Sequence, residues 1–99
     1  MSEDFSFAPP PFKPDEALQK LQRELRDLGL TERAGRFERR GAAIARAVVD
    51  GVVIRAARVK RPSRSSPEWQ DKVLRSSADA RDFVADLKQQ LAQWSDRDD

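Results

Sequence analysis

Ninety-nine residues, 38% of them hydrophobic and 36% charged, are enough for one core and exclude a second independently stable one. Cysteine, histidine and tyrosine are all absent, which excludes disulfides and Cys/His zinc sites and leaves neither a near-neutral base nor a thiol nucleophile. The net charge is only +2, but it is segregated: residues 1–32 carry four basic and seven acidic side chains, residues 33–75 twelve and four, and residues 76–99 three and six. Of the 19 basic residues 14 are arginine, the side chain whose planar fork matches phosphate and carboxylate.

Residues 1–13 set Pro9, Pro10 and Pro11 among Phe5, Phe7 and Phe12, an extended arm whose phenylalanines are expected to fold back over the core because exposed aromatics are costly. The start, Met1-Ser2-Glu3-Asp4, lacks the basic and apolar segments of a secretory leader, and no apolar run is long enough to span a bilayer. A cytoplasmic location and no membrane partner are expected.

A single domain is expected over 14–95. Pro14 at the first turn, with Asp15 and Glu16 at the positive end of the helix dipole, predicts a helix carrying a stripe of Leu18, Leu21, Leu25 and Leu28 and stopping at Gly29. About one and a half heptads are too few for a coiled coil, so this helix should dock on its own domain.

In the centre, Phe37, Gly41, Ile44, Ala45, Val48 and Val52 would share one side of a helix, but Val53, Ile54 and Arg55 break that pattern. Val48-Val49-Asp50-Gly51-Val52-Val53-Ile54 instead places an Asp-Gly pair between β-branched residues, the signature of a hairpin. A two-residue turn at Asp50-Gly51 would pair Val49 with Val52, Ala47 with Ile54 and Ala45 with Ala56 on an apolar face. The other face would pair Val48 with Val53, Arg46 with Arg55 and Ile44 with Ala57. Phe37 to Arg40, turning at Gly41, offers a third strand.

Arg61-Pro62-Ser63-Arg64-Ser65-Ser66-Pro67 reads as a loop, and residues 68–75 suit either a short helix or a strand. Ser76 and Asp79 are spaced as a capping box ahead of Ala80, Phe83, Val84, Leu87, Leu91 and Trp94, which predicts a helix over 77–95 and an acidic tail at 96–99. The expected fold is therefore α+β: a hairpin or three-stranded meander with an N-terminal and a C-terminal helix packed on one face. The order helix, three strands, helix resembles the double-stranded-RNA-binding domain. That family is expected to carry a lysine cluster at the start of its last helix, where this chain has Ser76-Ser77-Ala78-Asp79-Ala80-Arg81, so no functional residue is carried over.

Acidic pairs such as Asp79 with Asp82, or Asp82 with Asp86, lie one helical turn apart and read as a solvated face with ion pairs to Arg81 and Lys88. No glycine-rich phosphate loop or cofactor motif is visible, and the expectation is a non-enzymatic module. The candidate anion-binding residues are Arg46 and Arg55, whose opposed guanidiniums would repel, with Arg58, Lys60, Arg61 and Arg64 continuing into the loop. Two partner classes fit: nucleic-acid phosphates, or a protein partner, a second copy of the chain included. Trp94 is expected in the core and Trp69 beside the basic loop.

Overall fold

The structure is a computed structural model, described here for residues 12–63 and 65–98, with side chains described to residue 94. Its elements are α1 (Pro14–Asp27), β1 (Thr31–Arg33), β2 (Arg36–Arg39), β3 (Ala42–Asp50), β4 (Val53–Val59), β5 (Trp69–Leu74) and α2 (Ser77–Asp98). The five strands form one antiparallel sheet in the order of the chain, β1-β2-β3-β4-β5, with one helix before it and one after. The α+β architecture expected from sequence is present, and the meander has five strands, two more than the element order of the double-stranded-RNA-binding domain.

Helix α1 begins at Pro14, with Asp15 and Glu16 in its first turn, and ends in a Schellman motif. Gly29 N–H donates to Arg26 C=O (2.9 Å) and Leu30 N–H to Leu25 C=O (3.4 Å), while Leu30 and Leu25 are both buried in the core. An ion pair from Arg26 to Glu32 (3.1 Å) then ties the helix end to β1. At α2 the Ser76 hydroxyl accepts the Asp79 N–H (3.1 Å), as the capping box requires, and the Asp79 carboxylate reaches back one residue further than expected, to Arg75 N–H (2.9 Å). The helix continues to Asp98, three residues past the predicted end, because no glycine or proline interrupts it there.

Two-residue loops build the meander. Ala34-Gly35 and Arg40-Gly41 have both φ values positive (53° and 80°, 54° and 81°), the I′ pattern that suits the twist of paired strands. At the third turn only Gly51 is left-handed (φ 64°), the II′ pattern with glycine first and Val52 second. Asp50 therefore pairs with Val53, and the register differs from the one expected: Val49 meets Ile54, Ala47 meets Ala56, Arg46 meets Ala57 and Val48 meets Arg55. An Asp-Gly I′ turn would have forced Asp50 left-handed, whereas the II′ turn asks that only of glycine. Each β3 residue meets the partner two places further along β4, and a slip of two preserves every face while changing every pair. Arg46 and Arg55 consequently do not oppose each other.

One face of the sheet carries the core. Leu21 and Leu25 of α1 and Phe83, Leu87, Leu91 and Trp94 of α2 are buried with Phe37, Ala45, Ala47, Ile54, Ala56 and Leu74. Fully burying each large side chain of this set is worth roughly 1.5–3 kcal/mol. A bulge opposite Phe37 and Glu38 breaks the alternation of β3, so that Ala42, Ala43, Ile44 and Ala45 are buried in succession. Segment 68–75, ambiguous in sequence, supplies β5 through Trp69–Leu74. Residues 1–11 of the expected arm lie outside the described residues; Phe12 packs half-buried against the core. Among the described residues no helix is long and apolar enough to cross a membrane.

Candidate functional site

The sheet face turned away from the helices is organised by strand register. Arg33 of β1 opposes Arg36 of β2, Arg36 opposes Arg46 of β3, Arg46 opposes Ala57 of β4, and Ala57 opposes Asp71 of β5. Directly opposed residues share a face, so one row crosses all five strands, roughly 19 Å at the usual strand spacing, and it opens with consecutive arginines on β1, β2 and β3. All of these arginines are exposed.

The environments of these guanidiniums differ. Arg33 pairs loosely with Glu38 (3.9 Å). Arg46 lies over the Trp69 ring, 4.4 Å from its centroid, a cation–π arrangement. Arg36 has neither, and among the described residues no carboxylate pairs with it.

The next row along the strands sets Val48, Arg55 and Val73 side by side. Arg55 is bonded through Nε to Asp50 Oδ2, a diagonal neighbour created by the II′ turn. That hydrogen bond, then the Asp50 charge, raises the guanidinium pKa above its ordinary value, and Arg55 stays cationic wherever the chain is folded. Within the arginine row Ala57, only 1% exposed, lies at the base of a depression of ≈ 420 Å³ ringed by longer side chains of both rows.

The six sequence-predicted residues are thus divided by the fold. Arg46 and Arg55 stand on the uncovered face, each with an intramolecular partner. Arg58 points the other way: its Nε donates to Asp86 Oδ2 of α2 at 2.7 Å and its side chain is only 16% exposed, so it fastens β4 to the helix. Asp86 is therefore taken by Arg58, and Asp79 by the Arg75 backbone, rather than by the Lys88 and Arg81 expected from helical spacing. Lys60 and Arg61 are exposed where the loop leaves β4, beside Trp69, and Lys60 N–H donates to Glu68 C=O (2.9 Å) to close the loop base. Within the loop the Ser63 hydroxyl accepts the N–H groups of Ser65 and Ser66. Arg64 lies outside the described residues.

No family model, curated protein or solved structure matches this chain. The chemistry of the site itself therefore carries the functional reading. Among the described residues no group of three or more acidic side chains could hold a metal ion. Sequence reasoning missed Arg33 and Arg36. Their signal is the Ala34-Gly35 pair between them, an X-Gly turn of the same kind as Arg40-Gly41, which opposes the residues on either side of it.

Proposed function

We propose that this chain is a non-enzymatic binding module whose uncovered sheet face takes a single-stranded nucleic acid. Phosphates lie along Arg33, Arg36 and Arg46 and continue towards Lys60 and Arg61, while Trp69, with Arg46 stacked on it, is a platform for a base. The observation that carries this reading is the direct opposition of Arg36 and Arg46 with no acid paired to Arg36 among the described residues. Like charges directly opposite cost stability, and a polyanion laid across the strands offsets that cost. Base–aromatic stacking together with a cationic track is the usual means by which single strands are held without sequence readout.

A protein partner is the second reading, favoured by Val48 and Val52, which are 55% and 79% exposed near the β3–β4 turn. Salt separates the two, since phosphate neutralisation weakens steeply with ionic strength and apolar association does not. Fluorescence anisotropy with labelled single- and double-stranded DNA and RNA at low and physiological salt tests the proposal. Salt-sensitive binding that favours single strands supports it, and no binding at low salt removes it.

A further inference from the structure

The depression over Ala57 lies on the proposed single-strand track but is not itself a phosphate site, because its walls are chemically mixed. Val48 and Val73 line two sides, Arg46 and Arg55 stand at the rim, and Asp71 closes the end of the arginine row. The alanine methyl is the shortest side chain of its row, which is why a hollow exists there at all. Its ≈ 420 Å³ falls within the roughly 300–1,000 Å³ usual for small-molecule sites. An apolar floor with a guanidinium at the rim suits a flat heteroaromatic ring.

Asp71 decides which ring. The side chain is exposed and its charge acts on the diagonal Arg55 guanidinium, but no close ion pair or hydrogen bond among the described residues occupies its oxygens, and an ionised carboxylate only accepts. An anion at this position repels phosphate, so a surface serving the backbone alone would do better without it. Guanine presents two adjacent donors, N1–H and the N2 amino group, to the two oxygens of one carboxylate. Adenine and cytosine each set a ring acceptor beside their single amino group, and thymine and uracil set carbonyls on either side of one N–H. We infer that the Ala57 depression receives one unpaired base and that Asp71 makes that base guanine. The inference rests on the single-strand reading above and adds a base preference to it.

The test uses the full chain and four fluorescein-labelled single-stranded twelve-mers: oligothymidine, and the same strand with guanine, adenine or cytosine at every third position. Anisotropy is measured at low salt, with far-ultraviolet circular dichroism to establish that each variant is folded. The guanine strand is expected to bind roughly 10-fold more tightly than the others, within the range of a good bidentate base contact. Asp71→Asn should bring the four strands within about 2-fold of one another while oligothymidine binds no more weakly, since a negative charge has gone. Ala57→Val, which narrows the hollow with a residue suited to strands, should weaken the guanine strand selectively. Equal binding of all four strands by the wild type, or a guanine preference that survives in Asp71→Asn, overturns the inference and leaves the parent reading standing. Failure of every strand to bind overturns both.

Discussion

Arg36 and Arg46 stand directly opposite each other on β2 and β3, on the sheet face turned away from α1 and α2. Cross-strand like charges are destabilising, so the pair should be worth more to binding than to folding. Arg36→Glu converts it into an attractive pair with Arg46. Urea denaturation should show a gain of roughly 0.2–1 kcal/mol, while affinity for single-stranded DNA falls. A loss of stability would mean that Arg36 is already satisfied by an interaction within the chain.

Arg58 belongs to the fold rather than to the surface. Removing its partner with Asp86→Ala leaves a largely buried guanidinium without its carboxylate, at a cost of roughly 1.5–3 kcal/mol in chemical denaturation. Neither Asp86→Ala nor Arg58→Ala should change the salt dependence of nucleic-acid binding, provided each is measured where the variant is folded.

Trp69 and Trp94 are the two tryptophans of the chain and report different places. Trp94 is buried in the core, whereas Trp69 is half-buried under the Arg46 guanidinium. Titration with single-stranded DNA should quench the emission of the wild type and leave Trp69→Phe, which retains only Trp94, unquenched. Trp69→Ala should weaken binding by roughly 1–3 kcal/mol, the usual worth of one stacked base.

The third turn offers a test of register. Val52 occupies the second loop position and is exposed, so Val52→Asp should alter stability by no more than about 0.5 kcal/mol. Were Val52 paired with Val49 on the core face, the same change would bury a carboxylate and unfold the protein. Gly51→Ala, at φ 64°, should cost roughly 1–2 kcal/mol for a left-handed alanine.

Much of the fold is legible in the sequence because its signals are local. The leucine stripe of α1, the capping box of α2 and the glycine that reverses the chain between β3 and β4 each act within a few residues, and the alternation of β3 and β4 assigns Ala45, Ala47, Ile54 and Ala56 to the core in either register, although the turn falls at Gly51-Val52 rather than Asp50-Gly51. β1 is only three residues long and wholly exposed, so it has no apolar pattern to read. β5 mixes Trp69, Val73 and Leu74 with three polar residues, and only pairing with β4 makes it a strand. The candidate site is harder to read because it depends on long-range pairing. That Arg46 meets Ala57 rather than Arg55 follows from a II′ turn that shifts β4, and that it meets Arg36 follows from a bulge in β3 that resets its pairing with β2. The arginine excess of residues 33–75 is visible in the sequence, but which arginines share a face is not.

The most direct measurement of the central claim is the slope of log affinity against log salt for a single-stranded oligonucleotide, compared between the wild type and the Arg33→Ala/Arg36→Ala/Arg46→Ala variant. Each single-strand phosphate that the protein no longer neutralises makes the slope shallower by about 0.7, so the variant's slope should be shallower by about 2 and its binding far weaker. An unchanged slope and affinity in a folded triple variant would contradict the account, since the row of arginines across β1, β2 and β3 would then carry no phosphate.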